Sequence, residues 1–405
     1  MSILHVDLNS FYAHCAVLGG GGKYSFDTPL IVGGDRQKRH GIVLAATYPV
    51  KAKGVHAGMT LSAALSLCPG AIVEKADFDA YMRYSGLFMR IIQDYSPLVT
   101  RYGIDEAYLD YKGCEHLFGD AAQVANTIRK RVKDELGLTV SVGAGDNPLM
   151  AKMGSDYKKP DAVTIVTPEF WTGSIMPLPV GRLIYVGRCT QHRLSSIGIH
   201  TIEELASAPE GMLRSMFGIV GRQMWLNANG IDDTRIGETF EQKSISSSIT
   251  LPGDVNTLDE LYIALLVQLD KVAYRLRSMR MCARSVGVYV RYSDFKGKGK
   301  QTRLIYPTDV TEELYATARQ LIKPLLCDRP IRLVGVKVSS LSGGGGQISM
   351  FEDHRHDRLR RMDAAVDAIR DRFGRNIILR ASELVHNMGC GPEVVGFTPF
   401  DRRGF

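Results

Sequence analysis

The sequence predicts an α+β protein with two modules that share one element order, β-α-β-β-α-β. Three observations predict it. Short apolar strands carry carboxylates at one end: Asp7 closes one, and the adjacent pair Asp105 and Glu106 opens another. Apolar residues at helical spacing alternate with such strands over 78–144 and again over 245–340. The net charge of +7 is also unevenly placed. Residues 243–341 hold 16 Lys and Arg against 9 Asp and Glu, and the rest of the chain holds 34 of each. A basic module on an otherwise balanced chain suggests a polyanion partner.

Residues 3–8 form the first strand, and Asp7 lies at its end. Residues 11–76 read as an insertion: a loop at 19–22, strands near 29–33 and 41–47, and a helix with Leu61, Ala64, Leu65 and Cys68 at helical spacing before Pro69 and Gly70. A helix over 78–94 sets Tyr81, Tyr84, Phe88 and Ile91 on one face. A hairpin over 97–111 follows, with Asp105 and Glu106 at or near its tip. A helix over 120–136 and a strand over 138–144 complete the module. Neighbouring carboxylates repel each other and need a strong positive partner, which a divalent cation with hard oxygen ligands supplies. A bare Asp-Glu pair is more often a solvated turn, but Asp7 sets this one apart. In a split βαβ sheet the first and third strands are antiparallel neighbours, so Asp7 comes within reach of Asp105 and Glu106. In-line displacement at phosphorus by two metals needs such a cluster.

Composition narrows the classes further. A chain of 405 residues, 45% hydrophobic and 23% charged, suits an ordinary protein of several domains. Its seven cysteines are scattered with no Cys-x-x-Cys pair, which argues against a disulfide framework or zinc site and for a reducing cytoplasm. No apolar run approaches the roughly eighteen residues of a membrane span, and no secretory pattern opens the chain. The expectation is a cytoplasmic protein with no membrane partner.

The run "HVDLNSFYA" at 5–13, followed by "YGIDEAYLD" at 102–110, resembles the Y-family (translesion) DNA polymerases, with their "VDMNSFYA" and "YSIDEAFLD", in the bacterial UmuC-like branch. The resemblance covers roughly residues 1–375. It implies a right-hand polymerase with a ferredoxin-like palm at 1–10 and 77–166 and small fingers at 11–76. A helical thumb would span 167–235, a linker 236–244, and a second β-α-β-β-α-β domain, the little finger, 245–341. A clamp-binding peptide and tail would fill 342–405. Asp7, Asp105, Glu106 and the Leu8 carbonyl would hold two Mg²⁺ ions, with Mn²⁺ as the alternative ion.

Phe11, Tyr12, Tyr48, Lys51 and Lys159 would contact the nucleotide, and Tyr12, at the steric-gate position, would lie under the sugar. "ATYPVKAKGVHAGM" resembles the family's "NYPARKFGVRSGM", with Lys51 where the family has Arg, and this keeps the charge but loses the bidentate fork. "NPLMAKMGSDYKKPDAV" is similar to "NKLLAKMASDLKKPDG" and carries Lys152, Lys158 and Lys159. A single Lys is usually a solvated surface charge; its place in a matched motif gives these weight.

Residues 167–235 resemble helix-hairpin-helix elements, in which Gly187 and either Gly218 or Gly221 would bring backbone N–H groups to DNA phosphates. Tyr185 stands where the first hairpin often has Gly. In the second module, Arg275, Arg277, Arg280, Arg284, Lys296, Lys298, Lys300 and Arg303 suit a phosphate backbone. After a Ser-Gly run, Gln347, Ile348, Ser349, Met350 and Phe351 resemble the pentapeptide that docks on the sliding clamp (β-clamp). A charged amphipathic helix over 355–374 aligns Leu359, Met362, Val366 and Ile369. Departures from the family are Gly103 in place of Ser, Ala16 in place of Glu, and Ile42 with Leu44 as a bulkier roof over the nascent pair.

The implied activity is template-directed addition of deoxynucleotides to a primer 3′-hydroxyl, at low fidelity, in translesion synthesis. Its partners are primer-template DNA, deoxynucleoside triphosphates and the clamp, and the protein is expected to be a monomer. The competing classes are a catalytically silent DNA- and clamp-binding scaffold and a palm-fold nucleotidyl cyclase. The three carboxylates speak against the first; the basic module and clamp peptide have no role in the second.

Overall fold

The computed structural model describes residues 2–34, 41–237, 242–343, 354–374 and 377–380. The pentapeptide 347–351 lies outside the described residues. The fold is α+β and divides into two compact units that meet in sequence near residue 240.

In the first unit, β1 (Ile3–Leu8) leads into α1 (Phe11–Gly19), β2 (Leu30–Gly33), β3 (Val43–Ala46), the single turn α2 (Tyr48–Lys51), α3 (Leu61–Leu67) and β4 (Ile72–Lys75). Then come α4 (Phe78–Gln93), the hairpin of β5 (Leu98–Arg101) and β6 (Glu106–Asp110), the short α5 (Glu115–Phe118), α6 (Ala121–Leu136), β7 (Val140–Gly145), α7 (Pro148–Tyr157) and β8 (Val163–Ile165). The helices α8 (Pro168–Phe170), α9 (Arg188–Ser195), α10 (Ile202–Ser207), α11 (Glu210–Phe217) and α12 (Ile219–Ala228) complete the unit.

The main sheet has the order β5-β6-β1-β7-β8, so the first strand is central and antiparallel to both of its neighbours. Leu4, Val6 and Leu8 of β1 are buried with Phe88 and Ile92 of α4 and Ile128 and Val132 of α6. That burial on one sheet face fixes the strand register, because a slip of one residue would turn the apolar set outward. Local signals set the helix ends. Asp120 and Gln123 form a capping box at the start of α6, and left-handed Gly137 ends it. Asn147 caps α7, with Pro148 in its first turn. A smaller sheet, β3-β2-β4, pairs β2 with β4 in parallel. Nothing in the sequence pattern announces α1: Phe11, Ala13, His14, Cys15 and Val17 are all buried, so the helix lacks a polar face.

In the second unit, β9 (Ser244–Val255), α13 (Leu258–Ser278), β10 (Met281–Tyr292), β11 (Gly297–Thr308), α14 (Thr311–Ile322) and β12 (Ile331–Gly343) follow the expected order, and α15 (His354–Phe373) ends it. The strands assemble as β11-β10-β12-β9. Here the first strand is at the edge and the last lies between β10 and β9. The same element order has closed into a different sheet.

The apolar row aligned on α15 is only partly covered: Leu359 and Val366 are half-buried. Met362 and Ile369 are exposed, whereas Asp363 is 4% exposed. Arg277 of α13 lies 3.1 Å from Asp363 and 2.6 Å from Asp367, Arg370 lies 2.5 Å from Asp270, and Tyr274 donates to Asp371 at 2.5 Å. The helix is held by charge pairs rather than by an apolar stripe. Arg277, grouped above with candidate DNA contacts, is occupied inside this unit. Among the described residues no helix is long and apolar enough to cross a membrane.

Candidate active site

The site is built at one end of β1. Asp7 pairs with Glu106 across the β1–β6 ladder. The amide of Leu8 donates to the Asp105 carbonyl at 2.9 Å, and the amide of Asn9 donates to Thr139 at 2.9 Å. The end of β1 is thereby tied to the hairpin on one side and to the start of β7 on the other. The Ser85 hydroxyl of α4 donates to the carbonyl of Ile104 and holds the hairpin bend against the core. Gly103 is close-packed here: a Cβ at this position would lie 3.0 Å from Glu106 Cγ and 3.3 Å from Asp105 Oδ1.

The third wall is α7. A Cβ on Gly143 would come within 1.9 Å of the Ala151 carbonyl, and one on Gly145 within 2.6 Å of Met150 Cβ. Bare backbone at these two β7 positions lets α7 lie directly on the sheet and turns Lys152 toward the carboxylates. Lys152 Nζ lies 2.6 Å from Glu106 Oε2 and 3.1 Å from Asp7 Oδ2. Lys159 Nζ lies 3.0 Å from Asp7 Oδ1 and 2.8 Å from Asp156.

Electrostatics separate the three acids. Burial, reinforced by the charges of Asp7 and Glu106, pushes the Asp105 carboxyl up to about 6. Burial also works against the charged form of Glu106, but the His5 ring and the Lys152 ammonium outweigh it and hold its carboxyl at about 2. Burial opposes the charged form of Lys152 as well, and there Asp7, Glu106 and Asp156 prevail and raise it above the usual amine range. His5 was not singled out in the sequence. It is fully buried, its Nδ1 is 2.8 Å from Ser155 Oγ and its Nε2 is 3.2 Å from Glu106 Oε2. Burial lowers its pKa, against the pull of Glu106 and Asp7, and so favours the neutral ring. Ser155 lies on α7, so the signal for His5 exists only once that helix is docked.

A cavity of about 300 Å³ opens beside this cluster. Its lining includes Asp7, Leu8, Phe11, Tyr12, Tyr48, Lys51, Asp105 and Lys159, all expected site residues. Phe11 is buried in the core, while Tyr12 is half-buried with its ring 4.7 Å from that of Tyr81. Lys51 Nζ donates to the Ser10 hydroxyl at 2.6 Å and lies 4.8 Å from the centre of the Tyr48 ring. Glu106 stands outside the cavity wall, on the Lys152 side. Of the two roof residues only Leu44 lines the cavity; Ile42 is half exposed and bridges to Thr60.

The donor set fits a divalent cation. Ligand atoms of His5, Asp7 and Glu106 lie within 4.8 Å of one another, and a lysine ammonium already rests against two of them. Carboxylate oxygens are the hard donors that Mg²⁺ or Mn²⁺ prefers, and the imidazole is better placed as a partner of Glu106.

In the helical part of this unit, Gly218 has φ 65° and open space beside it, whereas a Cβ on Gly221 would strike the Leu213 carbonyl at 2.1 Å. Gly221 therefore serves the packing of α11 on α12, and Gly218 takes the positive-φ turn between them. Tyr185 has φ 71°, the left-handed region that a Gly adopts without strain, and its hydroxyl is 3.2 Å from that of Tyr102.

The sequence profile of the impB/mucB/samB family matches residues 6–156, and that of the family's C-terminal domain matches 242–350. The chain belongs to this family, the Y-family of DNA polymerases. It is similar to proteins named DNA polymerase IV: 39% identical to that of Pelotomaculum thermopropionicum, over 94% of this chain and 95% of the relative, and 37% identical to that of Moorella thermoacetica, over 95% and 96%. It is 34% identical to DNA polymerase IV 2 of Bacillus subtilis, over 94% of each chain. Among solved structures, the fold matches a Y-family DNA polymerase chimera of Dbh and Dpo4 with a TM-score of 0.74 at 22% identity, over 85% of this chain and 100% of the chimera. It also matches an insertion ternary complex of Dbh DNA polymerase with a TM-score of 0.58 at 22% identity, over 84% and 98%.

Proposed function

We propose that this DNA-directed DNA polymerase extends a primer by two-metal-ion catalysis, with low fidelity, in translesion synthesis. The observation that carries the reading is the cavity beside β1, where expected nucleotide contacts from separate segments line one space together with Asp7 and Asp105. Y-family polymerases depend on metal; we assign Asp7, Asp105, Glu106 and the Leu8 carbonyl as the ligands and Mg²⁺, with Mn²⁺ as a substitute, as the ion. When bound, two such ions supply Lewis acidity to the attacking hydroxyl and to the leaving pyrophosphate.

Lys159 and Lys51, with Tyr48, face the triphosphate as cations and donor. Tyr12 lies under the sugar and excludes a 2′-hydroxyl, backed by Phe11 and Tyr81. Residues 1–10 and 77–166 act as palm, 11–76 as fingers, 167–235 as thumb and 245–341 as little finger, joined by 236–244. Primer-template DNA is gripped largely through phosphates, a salt-sensitive contact that lets go readily. Gln347, Ile348, Ser349, Met350 and Phe351 would dock on the sliding clamp and raise the local concentration at the primer end. The working form is a cytoplasmic monomer engaged in DNA repair.

Primer extension by the purified full-length protein tests the core of this reading: extension with Mg²⁺ and none with chelator is the expected result. Alanine at Gln347, Met350 and Phe351 together should remove stimulation by the clamp and leave clamp-free extension in place. A fall in melting temperature with loss of clamp-free extension would instead make these residues part of a folded core.

A further inference from the structure

Lys152 sits where a cation is needed, and the reading above gives it no task. Its side chain is 14% exposed, and its Nζ meets Glu106 Oε2 at 2.6 Å, Asp7 Oδ2 at 3.1 Å and Asp156 Oδ2 at 3.5 Å. Its backbone position is fixed, because α7 lies on bare glycine backbone of β7. Two of its three partners are carboxylates assigned above as metal ligands. An ammonium and a divalent ion cannot occupy the same carboxylate oxygens.

We infer that Lys152 is a resident counter-cation of the carboxylate cluster: it neutralises Asp7 and Glu106 before metal arrives, and transfers to Asp156 when metal takes their oxygens. The inference rests on the assignment of Asp7, Asp105 and Glu106 as metal ligands. Close carboxylates without a positive partner repel one another. Lys152 relieves that repulsion with a group that belongs to the chain. Asp156 is a suitable destination. It lies four residues on, along the same helix, so the amine changes partner by side-chain rotation alone. Asp156 is 37% exposed and already lies 2.8 Å from Lys159, so it works as a shared acceptor for both amines. Lys159 mirrors the arrangement on the other oxygen of Asp7, at 3.0 Å. Metal binding is then an exchange of cations, and its strength depends on what the lysine loses and regains.

The two residues predict opposite effects on metal affinity. The full-length protein, without DNA or nucleotide, is titrated with Mn²⁺ by calorimetry. Lys152→Met should bind Mn²⁺ at least about fivefold more tightly than wild type, and Asp156→Asn at least about fivefold more weakly, the lower end of a typical coupling between two sites. In chelator Lys152→Met should melt below wild type, and the gap should close as Mn²⁺ is added. One measurement needs no variant: acylation of lysine amines read by mass spectrometry should find Lys152 shielded in chelator and more reactive with Mn²⁺. It decides alone if Lys152→Met does not fold. Equal or weaker Mn²⁺ binding by Lys152→Met, or labelling of Lys152 that ignores Mn²⁺, overturns the inference and leaves the metal assignment standing. A wild-type protein that binds no Mn²⁺ overturns both.

Discussion

The two modules share an element order and differ in which strand occupies the middle of the sheet. In the first unit β1 is central, flanked on both sides by antiparallel partners, and Asp7 sits at its end. In the second, β9 is an edge strand and β10 and β12 take the centre. Only the first arrangement brings a carboxylate of the opening strand against a hairpin bend. In the second, the face of the sheet away from its helices carries Gly287, Gly299 and Gly335 with Tyr289 and Lys337, beside a cavity of about 620 Å³. Such a face, open at its glycines and basic at Lys337, suits the polyanion contact proposed above. One element order thus closes into two sheets whose strand orders differ, and only the first gathers carboxylates at the end of its opening strand.

The comparison breaks most sharply at the carboxylates. Asp105→Asn keeps shape and removes charge; extension should fall by at least about a thousandfold, on the scale of losing one transition-state charge contact, while primer-template affinity stays near wild type in an anisotropy titration. Activity within tenfold of wild type would end the assignment of Asp105. The counterpart in the second unit is a charge that stabilises rather than reacts. Arg277→Ala leaves Asp363 and Asp367 in a buried setting with no cation, which costs about 3–5 kcal/mol. Calorimetry should report a lower melting transition for this unit, and an unchanged melt would mean that α15 contributes nothing to its stability.

Smaller effects refine the division of labour. Tyr12→Ala should raise the ratio of ribonucleotide to deoxynucleotide incorporation at least about tenfold, roughly the energy of one steric contact; a constant ratio in single-turnover assays removes the gate from this position. Replacing Lys298, Lys300 and Arg303 with Gln is the mildest change. It should flatten the dependence of log affinity on log salt by up to about 0.9 per lost phosphate contact and leave the single-nucleotide rate on bound primer unchanged. If that rate falls as well, the second module does more than grip.

Much of the site was legible because its residues lie in contiguous motifs at strand ends, where alternation and two short runs suffice. What escaped depends on long-range docking. His5, and the carboxylate partners of the Lys152 that the motif had named, acquire meaning only when Gly143 and Gly145 admit α7 to the sheet. The strand order of the second module was hidden because element order alone does not choose partners. The packing of α15 was not legible for a physical reason: its apolar row is only partly covered, and its buried contacts are acids matched to Arg277 and other groups on α13. The helix α1 had no amphipathic pattern to read because every side of it meets core.

The hydrogen bond from the Leu8 amide to the Asp105 carbonyl, with the one from Asn9 to Thr139, has a dynamic consequence. To separate Asp7 from the acidic pair, the β5–β6 hairpin would have to peel from β1 along the whole ladder from Ile3 to Asp7, so no cheap local opening reaches the site. Amide protons of β1 should therefore exchange with deuterium only through unfolding of the whole unit, as the slowest class. A reaction centre fastened to the least mobile strand cannot be governed by melting of its own scaffold. Control over it has to act through what surrounds it: the side chains that line the cavity, and whatever is seated there.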